Sequence, residues 1–319
     1  MLGDGLRARA MIGVMGWVKK ALVGVAILVG AAALGVGGFV GYSALTFNRS
    51  VARVYEVAAP DQLVARDDVE VIARGRHLAE SLGSCLECHG ENLGGKPMDD
   101  LGPLGRYYCP NLTKGAGGVG ARYTDGQLIR AVRDGIKADG TTLLLMPCSD
   151  FNWWPDDDYV ALVSYIRAQP PVDGELPPSE VGLLGKVLDR LDMLELDVAR
   201  RLDHDGPRPE APAPAPTAEY GRFVAKLCVG CHGAGYSGGP IPGAPSSLPV
   251  PTNITQHESG LLGWTEDDFF RLLNEGARPD GTKLDPFMPT RATSAMNELE
   301  KRALWAYLSS VPPRPFGER

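Results

Sequence analysis

The sequence predicts an all-α protein in which two tandem helical units follow a single N-terminal membrane-spanning helix. Three observations carry that expectation. An uncharged apolar stretch lies near the start, an internal repeat covers most of the remaining chain, and apolar residues recur at helical spacing with no alternating strand run.

The chain has 319 residues, with 32 Lys plus Arg against 39 Asp plus Glu and a net charge of −7. Hydrophobic residues at 44% and charged residues at 22% fit a globular protein. An acidic balance argues against nucleic acid as a partner, because phosphate binding calls for a basic surface. Six cysteines are too few for a disulfide-built scaffold, so their spacing has to be read individually.

The first element is the apolar stretch. Residues 21–48 contain no charge, well beyond the ~20 residues a bilayer-spanning helix needs and about twice the ~7–15 apolar residues of a cleaved signal peptide. A retained anchor is the reading. Arg7, Arg9, Lys19 and Lys20 precede it and Arg49 and Arg53 follow it, which places residues 1–20 in the cytoplasm and the rest outside. Residues 1–53 sum to +5, which leaves −12 on the remainder. Ala33, Gly37 and Gly41 form a small-residue stripe at four-residue spacing, the pattern that lets a second membrane helix approach closely.

Next come the two units. Cys85-Leu86-Glu87-Cys88-His89-Gly90 matches Cys228-Val229-Gly230-Cys231-His232-Gly233. Asn111-Leu112-Thr113 matches Asn253-Ile254-Thr255, Met146-Pro147 matches Met288-Pro289, and the run 162–166 matches 304–308. The offset stays between 141 and 143, so domains are expected at 68–170 and 218–312. In each, a helix precedes the cysteine pair (Val71, Ile72, Gly75, Leu78, Ala79 and Leu82 in the first). Capping-box pairs open a middle helix, Thr124 with Gln127 and Thr265 with Asp268. A last helix passes through Tyr159, Leu162, Val163 and Ile166, and through Leu299, Ala303, Leu304, Tyr307 and Leu308. Between the domains, 171–217 is expected to hold an amphipathic helix within 179–204, packed intramolecularly, and then a semi-extended Pro/Ala spacer from 206 to 217.

C-x-x-C-H is the attachment signature of c-type haem. Two thiols one helical turn apart bond the porphyrin vinyl groups, and the adjacent histidine is aimed at the iron. Cys85, Cys88, Cys228 and Cys231 are therefore the expected covalent attachments of two haem c groups, with His89 and His232 as proximal ligands. A redox dithiol would want a βαβ context, which is absent, and a whole repeat unit separates the two clusters that a zinc knuckle would need together. A distal ligand should recur in both units. Met146 and Met288 do, 57 and 56 residues after their histidines, each followed by proline. His/Met ligation fills both axial positions and favours electron transfer. Met98, Met296, His77, His204 and His257 have no repeat counterparts and read as ordinary loop, helix, surface or capping residues.

On these residues the sequence resembles the class I c-type cytochromes, in their tandem dihaem, membrane-anchored form. The resemblance implies three to five helices around each haem, with first and last helices crossing where Gly75 meets Tyr165 and Gly221 meets Tyr307. It also implies a place among the cytochrome subunits that pass electrons from periplasmic dehydrogenases or quinol-oxidising complexes towards a soluble cytochrome or a terminal oxidase. The dehydrogenase-linked group commonly carries three haems, and this chain has two motifs.

Cys109 and Cys148 lack partners in the second unit. The oxidising exported compartment favours a disulfide between them; the alternative makes one a thiolate ligand of the first haem, in a dihaem enzyme acting on a small sulfur or peroxide substrate. Gly115-Ala116-Gly117-Gly118-Val119-Gly120 fits the dinucleotide fingerprint but has no strand before it, so it reads as a flexible surface loop. Asn111 and Asn253 head Asn-x-Thr sequons at equivalent positions, which indicates an architectural role rather than glycosylation. Together these readings predict an electron-transfer protein of the inner membrane with its haem domains in the periplasm.

Overall fold

A computed structural model describes residues 3–98, 101–206, 210–244 and 247–319. It begins with α1 (Gly3–Val51). Within this helix Lys19–Val51 is long and apolar enough to cross a membrane by length and composition, and its most apolar 18 residues, of mean hydropathy 2.3, are not buried against the rest of the chain. The side chains of Arg7 and Arg9 and residues 207–209 of the spacer lie outside the described residues.

The first repeat unit consists of α2 (Val69–Glu80), α3 (Cys85–His89), two very short strands β1 (Lys96–Pro97) and β2 (Gly105–Arg106), β3 (Tyr108–Cys109), α4 (Asp125–Asp134) and α5 (Asp156–Ala168). Its helices α2 and α4 start where the sequence supplies a side-chain cap. Asp68 accepts from the Glu70 and Val71 amides, Thr124 and Gln127 form the expected capping box, and three aspartates occupy the first turn of α5, where the helix dipole favours them. The segment between the units forms β4 (Glu180–Val181) and α6 (Leu183–Arg190). The second unit repeats the plan with α7 (Ala218–Val224), α8 (Lys226–His232), α9 (Glu266–Glu275), α10 (Thr290–Ala295) and α11 (Glu298–Ser310). Thr265 and Asp268 close the expected box on α9, and Asn297 with Glu300 makes a further one on α11.

First and last helices cross in both units at glycine. A Cβ on Gly75 would run into the Ala161 carbonyl and come within 2.8 Å of Tyr165 Cβ; on Gly221 it would meet the Ala303 carbonyl and lie 2.7 Å from Tyr307 Cβ. The missing side chain is what lets α2 touch α5 and α7 touch α11 backbone to backbone.

The two units are not beads on a flexible string. A single hydrophobic cluster runs through both, from Leu78, Trp154 and Tyr159 to Phe223, Phe269 and Leu304. Across the seam, His77 Nε2 lies 2.8 Å from Glu300 Oε1 and Arg291 pairs with Glu91 at 3.0 Å. His77, expected at the surface, is thus an interdomain residue. The first unit is also fixed to the end of α1: Phe47 and Val51 pack with Tyr107 and Leu196, Lys186 Nζ donates to Asn48 at 2.9 Å, and Ser50 donates to Asp197.

The interdomain helix is shorter than expected. Leu183–Arg190 is α-helical and Ala199–Arg201 makes a single 3-10 turn; between them Asp192 takes a left-handed φ of 55°. The cause is Asp189. Its buried carboxylate accepts from the Leu196 and Asp197 amides and pairs with Arg200 and Arg201, which folds 191–201 back onto the helix. β4 pairs with β2, Gly105 opposite Val181, so the segment lies on the first unit. The glycine-rich run also differs from a flexible loop. Gly115, Gly118 and Gly120 are buried, and a Cβ on Gly115 would strike the Val172 backbone.

Candidate functional site

Helices α3 and α8 carry the two Cys-x-x-Cys-His motifs, and each ends at the histidine. Gly90 and Gly233 follow, both with φ of 80°, and turn the chain sharply away. On a helix, residues three apart share a face, so the paired sulfurs of each motif project together while the histidine turns onto the adjoining side.

Each histidine meets a backbone carbonyl from the same place in its repeat. His89 Nδ1 lies 2.8 Å from Pro110 O and His232 Nδ1 2.7 Å from Thr252 O. A carbonyl only accepts, so Nδ1 carries the proton and Nε2 presents its lone pair. Burial lowers the pKa of both imidazoles, which holds them neutral. A neutral imidazole with a fixed tautomer is ready to bind a metal through Nε2.

The Asn-x-Thr sequons hold these carbonyls. Asn111 Oδ1 accepts from Thr113 N at 2.9 Å and Thr113 Oγ1 at 2.8 Å, and its Nδ2 donates to Val172 O at 2.6 Å. Asn253 repeats this with Thr255 at 2.9 and 2.8 Å and with Arg314 O at 2.7 Å. All four side chains are buried, as the architectural reading expects. Each cage pins the loop between the proximal histidine and the segment that leaves the last helix. Sequence reasoning found the cages but not the carbonyls; the signal was the residue directly before each asparagine.

The two Met-Pro pairs form the same turn. Cys148 N donates to Met146 O at 2.8 Å around Pro147 (φ −79°, ψ 59°), and Thr290 N donates to Met288 O at 2.7 Å around Pro289 (φ −75°, ψ 68°). These are inverse γ-turns centred on proline, whose ring presets φ. In the second unit Cys228, Cys231, His232 and Met288 line one cavity of about 710 Å³, with Val250, Leu284 and Phe287 among its apolar walls. A largely apolar cavity with two thiols, a free Nε2 and a thioether sulfur on its walls fits a covalently held haem. In the first unit Cys85 and Met146 pack against the shared hydrophobic cluster.

The expected Cys109–Cys148 disulfide is not formed. Cys148 is fully buried and donates to Ala131 O at 3.4 Å, whereas Cys109 lies beside Cys88. The two belong to opposite sides of the site: Cys109 precedes the Pro110 carbonyl on the histidine side, and Cys148 sits in the methionine turn. Burial, with the nearby charges of Glu195, Asp134 and Asp150, pushes the Cys148 thiol up. His204 Nε2 meets Ala199 O at 2.9 Å with its ring edge-on to Tyr55, and His257 bonds Ser259. Met98 packs beneath Tyr107, and Met296 is buried in the main cluster.

Residues 218–312 match the family described as cytochrome c, and residues 70–166 match the family described as cytochrome c oxidase, cbb3-type, subunit III. The chain is similar to the cytochrome c subunit of alcohol dehydrogenase (quinone) from Gluconacetobacter polyoxogenes, 28% identical over 277 residues that make up 78% of this chain and 57% of that protein. It is 28% identical to a nicotinate dehydrogenase subunit from Pseudomonas putida over 273 residues, 77% of this chain and 22% of that protein. With the fructose dehydrogenase cytochrome subunit of Gluconobacter japonicus it shares 26% identity over 264 residues, 76% of this chain and 53% of that protein. The chain thus spans just over half of the first and third relatives and about a fifth of the second.

Proposed function

We propose that this chain, which carries two cytochrome c domains behind an N-terminal apolar helix, holds one covalent haem c in each domain and relays single electrons outside the inner membrane for a dehydrogenase or quinol-oxidising partner. The observation that carries the reading is the convergence of Cys228, Cys231, His232 and Met288 on one cavity, with the histidine–carbonyl pair and the Met-Pro turn repeated in the first domain.

Bound haem supplies one-electron chemistry at its iron. The chain's own residues do the rest. Cys85 and Cys88, and Cys228 and Cys231, would fasten it; His89 and His232 would ligate from one side, oriented by Pro110 and Thr252; Met146 and Met288 would complete the axial pair. Filled axial positions leave no open site for a small substrate, which supports a carrier rather than the dihaem enzyme. The dehydrogenase subunits among the relatives support a dehydrogenase as electron donor. The −12 charge beyond residue 53 supports a partner surface rich in basic residues, reached at a rate that falls as salt increases. For the anchor, the positive residues before Ala21 support a cytoplasmic N-terminus.

The test uses the full chain made in a host that matures c-type cytochromes. A pyridine haemochrome assay is expected to give two haems per chain, and the oxidised spectrum the weak far-red band of sulfur ligation at both irons. One haem per chain, or a high-spin centre, overturns the proposal.

A further inference from the structure

Trp153 and Trp154 stand at the seam between the domains, Trp154 also packing on Phe151 and Tyr159 of its own domain. At the offset of 142 that relates Met146 to Met288, the second unit has Ala295 and Met296 in their places. The pair faces two ways. Trp154 turns back to the first attachment site: a Cβ on Gly83 would lie 3.0 Å from Cys85 Sγ and 3.1 Å from the Trp154 ring, so this glycine lets the indole and the sulfur share one space. Trp153 turns forward, edge-on to Phe223 with ring centroids 4.1 Å apart and with Lys226 Nζ 5.1 Å from its own. Lys226 opens α8, the helix that carries Cys228 and Cys231. Both indoles are buried, at 8% and 3% exposure, and with Leu82, Asp150, Phe223 and Leu227 they line a small pocket beside α8.

From this arrangement we infer that Trp153 and Trp154 are the conducting contact between the two haem attachment sites, running from Cys85 past Trp154 and the adjoining Trp153 to Phe223 and to Lys226 at the start of the helix that carries Cys228. The inference rests on the two-haem reading above. Electron tunnelling is faster through bonded and closely packed atoms than across solvent, and the peptide bond joining the two tryptophans with the edge-on Trp153–Phe223 contact supplies such a medium. The step is the passage of one electron: one centre is oxidised as the other is reduced, and no further reactant takes part. The indoles act on the path and not on the ligands, so they are positioning and conducting residues.

The experiment uses the full haem-loaded chain in detergent, with one centre reduced by a laser flash and relaxation between the two centres followed by absorbance. Trp153→Leu is expected to slow relaxation by an order of magnitude or more, Trp153→Phe by less, and Trp154→Met to slow it as well. Both reduction potentials and the sulfur–iron bands are expected to stay as in the parent. A role in packing alone would lower the unfolding temperature in Trp153→Leu and leave relaxation unchanged, and that result overturns the inference. Where the leucine variant loses haem, a Trp153→Phe rate equal to the parent's overturns it instead. Fewer than two haems in the parent chain overturns the two-haem reading and this inference together, whereas two haems with unchanged relaxation overturns this inference alone.

Discussion

His77 of the first domain sets its Nε2 2.8 Å from the Glu300 carboxylate of the second, a side chain with no exposure at all. Arg74, one turn earlier on the same helix, is held bidentately by Asp158 at 2.9 Å and approaches Glu300 at 3.8 Å. Glu300 also accepts from the Asn297 amide at 3.0 Å. A carboxylate taken wholly out of water needs all of these partners.

His77→Ala removes the closest of them and leaves a buried acceptor short of a donor. The expected loss is about 1–3 kcal/mol, concentrated at the seam. Calorimetry should resolve one cooperative transition in the parent and two in the variant. A single transition at an unchanged temperature would show that the pair contributes nothing to docking.

The glycine crossings make a matched pair. Gly75→Ala and Gly221→Ala each press a methyl group into a backbone carbonyl, at Ala161 and Ala303, which cannot rotate aside. Overpacking of this kind costs about 1–3 kcal/mol or more. Thermal unfolding should fall in both variants, each in its own domain. Tolerance of alanine at both positions, by circular dichroism melting, would contradict the close approach.

Met288→Ala and Met146→Ala test the ligand assignment domain by domain. Loss of thioether ligation is expected to lower the reduction potential of the altered centre and to remove half of the far-red absorbance, with the other centre unmoved. Spectroelectrochemical titration reads both quantities. Full far-red intensity in either variant would point to a different sulfur.

Asp150 gives a pH signature. Burial, with the neighbouring charge of Glu195 and against that of Lys226, pushes its carboxyl up to about 7. The native state therefore holds this proton at pH values where the unfolded chain has released it. Its contribution to stability is complete below roughly pH 4, the ordinary carboxylate range, and is lost as pH rises through about 7. Asp150→Asn keeps the neutral form throughout. Denaturant midpoints for the variant are expected to exceed the parent's at pH 8 by more than at pH 5, a gain of a few kcal/mol at most. Parallel profiles over that range would refute the assignment.

Much of each site was legible in the chain because its constraints are local and occur twice. Cys85-x-x-Cys88-His89 needs one helical turn, Met146-Pro147 needs one tight turn, and Asn111-x-Thr113 closes a hydrogen-bonded ring over two residues. Gly75 and Gly221 mark the same backbone crossing. A geometry fixed over a few residues leaves a pattern, and the copy some 142 positions later separates pattern from chance. Other features leave no such trace. His77 and Glu300 stand 223 positions apart, Trp153 meets Phe223 only across the seam, and Cys109 lies beside Cys88 instead of Cys148. Leu191 and Leu194 continue a helical pattern that Asp189 ends by capturing amides further along. Short-range patterns in the chain were enough to mark the residues proposed to hold the cofactor and the helices that carry them. How the two domains face each other, and what lies between their attachment sites, came from long-range packing, since such contacts depend on surfaces that meet only once both units have folded.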